Sequence, residues 1–345
     1  MTVYVKEDIM SLYLMLDVII AYVLDLLFGD PYWFPHPVRF IGWLIKRTEG
    51  LLRELIKKRG NSEPGLIEKR ERAAGVLLAV FVISTTFLFV YIILKMAGLI
   101  SPVAFHAVNI YFIYSALATR CLAVEARKVQ DVLMKKDIAE ARERLSMLVG
   151  RQTEHLSEGE IIRGVVETTA ENTVDGIVSP LVYAVVGSVF GIGAPLAYAF
   201  KAVSTLDSMV GYMNEKYINF GRASAKIDDA ANYIPARLAG VLIAVSALVC
   251  GKSFKRSFSI MLRDRRNHKS PNCAYPEAAV AGALGIRIGG NNVYFGKVVE
   301  KPTIGDPHKD LEAGDISDTI RLMYVTSLLT LLILVLIASA ILIFV

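Results

Sequence analysis

The sequence predicts an all-α, polytopic membrane protein with about five to seven membrane segments, some broken or re-entrant, and with amphipathic helices in the cytoplasm. Three observations point there. Of the 345 residues, 54% are hydrophobic and the mean hydropathy is +0.47, above the 45–50% apolar content usual for soluble domains. The excess is gathered into long runs. The net charge of +5 lies in the segments between them, where basic loops beside membrane spans set topology, so nucleic-acid binding does not follow. The three cysteines Cys121, Cys250 and Cys273 form no CxxC pair, which argues against a disulfide framework or thiolate zinc.

In order, residues 9–28 are long enough to cross about 30 Å of hydrocarbon. No basic leader or small-residue cleavage site precedes them, so they are expected as a retained span. Asp17 and Asp25 lie within this run; an acid there is costly unless it faces protein or a water-filled cavity. Residues 29–45, GDPYWFPHPVRFIGWLI, are expected as a rigid extended loop because Pro31, Pro35 and Pro37 oppose a helix. His36 and Arg39 lie in that loop, and His36 is more readily structural than catalytic. The charged residues 46–72, with a turn at 60–65, fit a surface helical hairpin. Residues 73–96 and 101–122 are two spans joined by a very short loop. Val124, Val129, Val132, Leu133, Ile138, Ala141, Leu145 and Leu148 recur near helical spacing across residues 120–149, and the basic residues there favour the cytoplasmic side. Residues 322–345 form a final span.

Residues 177–200 are apolar but broken by Pro180, Gly187, Gly191, Gly193 and Pro195. Such breaks are tolerated at membrane depth when buried in protein or lining a cavity. Residues 234–250 form a short apolar segment. The basic stretches 120–175 and 252–321 are both expected in the cytoplasm, so an even number of crossings separates them. Either both intervening segments cross, or both dip in and return; the interruptions favour the second. One membrane-embedded domain over residues 1–345 is expected, with polar active-site segments at 29–45, 150–176, 201–237 and 264–306.

The chemistry is concentrated between residues 150 and 240. Glu167, Glu171 and Asp175 are spaced four apart and stack on one helix face. Their repulsion needs a divalent cation or arginines, and Arg151 and Arg163 are near in sequence. Asn172 adds a neutral oxygen donor. Mg²⁺ prefers a few carboxylates with water and substrate phosphates. A second acid and amide set comprises Asp207, then Asp228 and Asp229 with Asn232, flanked by Arg222 and Arg237, which suit bidentate phosphate contacts. Together the sets read as metal-assisted phosphate chemistry; the competing reading of the acids is a solvated helix face. In residues 264–296, Arg265, Arg266, His268 and Lys269 form a basic knot, Ser270 to Asn272 a turn, and Gly282, Gly285, Gly289 and Gly290 a flexible run with exposed N–H groups. No Walker A, HExxH or dinucleotide fingerprint is present.

The motifs GDPYWFPHPVRFIGWLI, GRQTEHL, VETTAENTVDGIVSPL, KAVSTLDSMVGYMNEKY, FGRASAKIDDAANYIPARL, HKSPNCAYPEAAVAGALGIRIGG and KPTIGD resemble, in order, those of the CobD/CbiB family, the adenosylcobinamide-phosphate synthases of cobalamin biosynthesis. The resemblance covers roughly residues 25–306. It implies an ATP-dependent amide ligase of the cell membrane, joining adenosylcobyric acid to aminopropanol or aminopropanol phosphate, with ATP and Mg²⁺ on the cytoplasmic side. Under that reading Glu167, Glu171, Asp175 and Asp207 supply base and catalytic carboxylates, and Glu171, Asp175, Asp228 and Asp229 hold metal. Arg151, Arg222, Arg237, His268, Lys269, Asn272, Gly289 and Gly290 bind phosphate, nucleotide or corrinoid. Besides the lipid bilayer, a second copy or other corrinoid-pathway membrane proteins would be partners. The family opening GRDT is GRQT here, so a carboxylate at Gln152 is not essential. Two competing readings are a Mg²⁺-dependent prenyl or phospho-alcohol transferase, which would release pyrophosphate without ATP, and a corrinoid transporter component, which would show flux without a covalent product.

Overall fold

The computed structural model describes residues 2–31, 33, 36–58, 63–294 and 297–344. Fourteen helices dominate the described residues. They are α1 (Thr2–Phe28), α2 (Val38–Lys58), α3 (Pro64–Ile100), α4 (Pro102–Ala116), α5 (Thr119–Met134), α6 (Ile138–Ser146) and α7 (Glu158–Thr173). A π-helical turn, Val174–Val178, follows, and then α8 (Ser179–Val189), α9 (Gly193–Val210), α10 (Arg222–Ala231), α11 (Tyr233–Val249), α12 (Phe254–Asp264), α13 (Ala274–Leu284) and α14 (Gly314–Phe344). Four short strands lie between the last two helices: β1 (Ile288–Gly289), β2 (Asn292–Tyr294), β3 (Lys297–Val299) and β4 (Thr303–Ile304).

Among the described residues, four helical runs are long and apolar enough to cross a membrane: Gly65–Ile100, Pro102–Met134, Glu158–Val189 and Gly314–Leu342. The bent pair Arg222–Ala231 and Tyr233–Val249 makes a fifth when counted as one span. The chain is therefore an all-α, multi-pass membrane protein, as the sequence predicts.

The chain divides into two compact units. The first comprises Met1–Leu117, Ser179–Ala231 and Leu334–Val345, and the second Ala118–Val178 and Asn232–Ile333. In the first unit the expected hairpin of spans forms around Ser101, whose hydroxyl accepts from the Ala104 N–H at 3.0 Å and caps α4. Asp17 is buried, as an acid in an apolar segment must be. It is satisfied by Asn109 Nδ2 at 2.8 Å and His106 Nδ1 at 2.8 Å. Close helix approach is allowed by small residues: a Cβ on Gly75 would sit 1.9 Å from the Phe220 carbonyl oxygen.

One expectation for this unit needs correction. The loop expected over residues 29–45 ends early, because α2 begins at Val38, directly after Pro37. Proline at the entrance of a helix opposes only the preceding turn. His36 caps this start: its Nδ1 accepts from the Val38 N–H at 3.2 Å, and its Nε2 lies 3.4 Å from Asp30, which is the structural role. Tyr32, Phe34 and Pro35 of that loop, and residues 59–62 of the turn expected at 60–65, lie outside the described residues. Residues 177–200 turn back on themselves, as the dip-and-return alternative requires. They reverse at residues 190–192, where Gly191 has φ of 71°, so that Tyr183 of α8 stacks on Phe200 of α9 with ring centroids 5.0 Å apart. Gly193 permits the turn, since a Cβ there would lie 2.3 Å from Ser188 Oγ.

The second unit contains the amphipathic segment expected over residues 120–149, realised as α5 and α6. Its predicted apolar positions Val129, Val132, Leu133, Ala141 and Leu145 are buried, and Asp137 caps α6 by accepting from the Glu140 N–H at 3.0 Å. At the centre is α13, apolar on every side apart from Glu277, and such a helix is buried all round. The glycines expected as a flexible run are instead packing and turn residues. Gly282 lies within α13 against the Arg256 carbonyl, 2.7 Å from where its Cβ would be. Gly285 closes the helix in the left-handed conformation at φ 71°. Strand β1 pairs antiparallel with β4, Ile288 opposite Ile304.

Candidate active site

Within the second unit, the segment that opens GRQT is tied to the strands through helix α7. The α7 start carries a capping box between Ser157 and Glu160, which fixes the helix so that Arg163, Glu167 and Glu171 follow at successive four-residue steps. Arg151 is buried, donates to Glu167 Oε2 at 2.8 Å, and donates to Asn292 Oδ1 at 2.5 Å. Arg163 donates to the Gly289 carbonyl at 2.6 Å, the Asn291 carbonyl at 3.1 Å and Asn292 Oδ1 at 3.0 Å. Glu167 Oε1 accepts the Gly289 N–H at 2.8 Å and lies 3.7 Å from Arg163 Nε. The Gln152 N–H donates to the Val293 carbonyl at 2.9 Å. Two guanidiniums and one carboxylate thereby hold the turn after β1. Gly289 is required there: its φ is 78°, and a Cβ would lie 2.5 Å from the Pro302 carbonyl oxygen. Gly290, at φ 81°, donates its N–H to the same carbonyl at 3.3 Å.

One step along α7, Glu171 Oε1 accepts from the Cys273 thiol at 3.0 Å. Burial, then Glu171, Glu277 and Asp175, push the Cys273 thiol up, so it is a donor and not a thiolate nucleophile. Glu277 is buried, and that burial together with Glu171 and Glu167 pushes its carboxyl well above the usual range, against the pull of Lys301 and Arg151. Glu167, Glu277, His268, Lys301, Asn267, Gly289 and Asn292 line one cleft with β4. His268 Nδ1 accepts from the Ser270 N–H at 3.1 Å, and its Nε2 lies 3.4 Å from Lys301 Nζ. Burial and Lys301 lower its pKa, opposed by Glu171, so the imidazole is neutral at pH 7.

The third predicted acid, Asp175, sits in the π-helical turn. It is near enough to bear on the Cys273 thiol, although the wider turn takes it out of the α-helical four-residue register. Such π turns recur at functional sites. Arg237 lies over the Tyr233 ring at 3.3 Å and the Tyr275 ring at 4.6 Å, and donates to Asn272 Oδ1 at 3.2 Å. Asn272 is buried, while Lys269 is exposed. Asp207, Arg222, Asp228 and Asp229 belong to the first unit, on α9 and α10. There Asp207 is half-buried, its backbone carbonyl accepts from the Gly211 N–H at 2.7 Å, and Arg222 is exposed.

Residues not singled out for the site from the sequence are Asn292, Glu277, Cys273 and Lys301. A signal was present for two of them. Cys273 and Glu277 are four apart, and Glu277 is the one acid in the apolar run AYPEAAVAGAL. The role of Asn292 arises from a long-range turn that no local pattern displays.

The donor set suits a hard cation shared with substrate. Among the described residues no group of three or more His, Cys, Asp or Glu side chains converges to cage a metal. Mg²⁺ characteristically takes one or two carboxylates and completes its shell with water and phosphate. Glu171 on α7 and Asp175 in the π-helical turn are carboxylates of the kind that fit that part.

A family profile described as CobD/CbiB protein matches residues 18–323. The chain is 49% identical over 319 residues to "Cobalamin biosynthesis protein CobD" of Clostridium tetani, covering 92% of this chain and 96% of the relative. It is 49% identical over 323 residues to the protein of that name in Clostridium acetobutylicum, covering 94% and 98%. It is 48% identical over 316 residues to "Cobalamin biosynthesis protein CbiB" of Salmonella typhimurium, covering 92% and 95%. No solved structure matches.

Proposed function

The chain belongs to the CobD/CbiB family, and we propose that it acts in cobalamin biosynthesis as an ATP-dependent amide ligase of the cell membrane. It would join adenosylcobyric acid to aminopropanol or its phosphate, with the site on the cytoplasmic side. The observation that carries this reading is the cleft of the second unit. It brings the carboxylates of Glu167 and Glu277, a neutral imidazole and a lysine together beside a turn held by Arg151 and Arg163.

A carboxylate is a poor acyl donor; ATP with Mg²⁺ supplies the phosphoryl group that activates it. The protein's own tasks are then three. Glu171 and Asp175 hold the cation. Lys301, His268 and the exposed Lys269 hold phosphate oxygens, while Arg237 and Asn272 bind at the edge of the same segment. The amine attacks only after losing its proton, and Glu171 is the proposed acceptor, its Oε1 already receiving a hydrogen bond from the Cys273 thiol. Arg151 and Glu167 are positioning residues, because their bonds are made to each other and to the turn of Gly289 and Asn292. Asp207, Asp228, Asp229 and Arg222 form the acid and phosphate-binding set proposed for the first unit.

Purified protein in detergent, given adenosylcobyric acid, ATP, Mg²⁺ and each amine in turn, should yield the amide mass by mass spectrometry. Glu171→Gln should lower the rate by about 10²-fold or more, the range for removal of a general base. No new amide with either amine overturns the ligase reading. Full activity in Glu171→Gln removes Glu171 alone.

A further inference from the structure

Helix α2 and the start of α3 form a second feature, in the first unit, that the proposed reaction does not use. Helix α2 is strongly amphipathic. Ile41, Leu44 and Ile45 are buried, but the apolar face continues past them onto exposed Trp43, Leu51 and Leu55. Leu52, Leu55 and Ile56 of α2 and Ala73 and Leu77 of α3 line an apolar groove of about 530 Å³ of open space that also takes in Arg70. The hairpin is fixed, not loose. Arg53 of α2 pairs with Glu49 at 2.9 Å and lies 3.8 Å from Glu71 of α3. It donates to the Lys216 carbonyl at 2.9 Å and covers the Phe220 ring at 4.4 Å.

The position of the groove decides its occupant. It begins where EKRER, residues 68–72, gives way to the apolar run of the Gly65–Ile100 span. That change from charge to hydrocarbon is the membrane–water boundary. Arg70 stands one helical turn before Ala73, so it lies at the charged end of an apolar groove. Lys57 and Lys58 at the end of α2 and Lys69 are exposed beside it. An amphipathic helix with a basic polar side and exposed Trp and Leu lies in the interface plane, and basic clusters at that depth favour anionic over zwitterionic lipid.

We propose that the α2–α3 groove is a binding site for an anionic phospholipid, with an acyl chain along Leu52, Leu55, Ile56, Ala73 and Leu77 and the phosphate on Arg70. The inference does not depend on the ligase reading. Full-length protein is reconstituted in nanodiscs with equal phosphatidylglycerol and phosphatidylcholine, released into the gas phase, and its retained lipids counted by native mass spectrometry. Phosphatidylglycerol should be retained roughly fivefold over phosphatidylcholine for each basic residue engaged, from the effect of one Lys or Arg near an anionic surface. Arg70→Gln should lower that ratio by about fivefold. Ala73→Phe, at an exposed position, should fill the groove and lower the number of retained lipids of both kinds while the protein stays folded by circular dichroism. Equal retention of the two lipids, or retention unchanged in both variants, overturns the proposal. So does a dimer that Ala73→Phe dissociates, because a second copy would then be the occupant.

Discussion

At the scale of single residues, the site depends on a buried guanidinium and the space left for it. Arg151 reaches Glu167 and Asn292 by passing over Gly164, where a Cβ would lie 2.5 Å from Arg151 Nη2. Gly164 is therefore part of the Arg151 interaction although it carries no side chain. Arg151→Met leaves Glu167 without its closest buried partner and should cost about 3–5 kcal/mol, the usual loss on breaking a buried pair. Gly164→Ala should destabilise the parent as well, yet cost much less in the Arg151→Met background, because the atom it displaces is gone. Thermal unfolding in detergent of the four members of this cycle measures the coupling. Strictly additive effects would mean that Gly164 acts through Leu145, the other neighbour of its Cβ position at 3.0 Å, and not through Arg151.

At the scale of elements, much of the fold was legible because hydrophobic runs and helical spacing are local. The hairpin of α3 and α4, the cap at Ser101 and the buried stripe of α5 and α6 all follow from neighbouring residues. The face shared by Glu167 and Glu171 was legible for the same reason. The reversal within residues 177–200 was legible in the glycines and prolines that favour a dip and return, but its place at residues 190–192 was not, because Gly187 and Gly193 meet across the turn, a contact between elements. The strand region was not legible, since GIRIGGNNV looks like a flexible glycine run until Arg163 and Glu167 engage its backbone and Asp264 holds the Gly305 N–H after β4. Asp264, at the end of α12, is the clearest such anchor. Burial pushes its carboxyl up, but Arg263, with two bonds at 2.7 and 2.8 Å, and the Gly305 N–H at 2.8 Å outweigh burial and hold it below the usual carboxylate range. An acid with a depressed folded pKa stabilises above its unfolded pKa near about 3.9 and loses that contribution as pH falls through the folded value. The stability difference between the parent and Asp264→Asn should thus be about 1–3 kcal/mol at neutral pH. It should shrink below about pH 4, as read by thermal unfolding across pH 3–7. A difference independent of pH would show that the carboxylate charge is not what anchors the strands.

At the scale of the whole molecule, the question is which side of the membrane carries the chemistry, and the second unit allows it to be asked without reference to the first. An ATP-dependent site has to face the nucleotide. The second unit carries basic residues at helix ends in both of its main stretches of sequence: Lys135 and Lys136 between α5 and α6, and Lys255 at the start of α12. Lys136 is exposed, with φ of 62°, and Lys255 is exposed as well. Basic connecting segments are retained in the cytoplasm, and both positions belong to the unit that holds Glu167, Glu171, His268 and Lys301. Single cysteines at Lys136 and Lys255, labelled by a membrane-impermeant maleimide, should react in inside-out vesicles and stay unlabelled in intact cells. The parent with Cys121, Cys250 and Cys273 gives the background, which is expected to be small because all three are only part-exposed. Labelling of both positions in intact cells would put this cleft on the face away from cytoplasmic ATP. The cleft of the second unit would then be lost as the ligase centre while membership of the family stood unchanged. Labelling of one position from each side would mean an odd number of crossings between them, as when Glu158–Val189 crosses and the bent pair Arg222–Ala231 and Tyr233–Val249 does not, and would overturn the assignment of both basic segments to the cytoplasm.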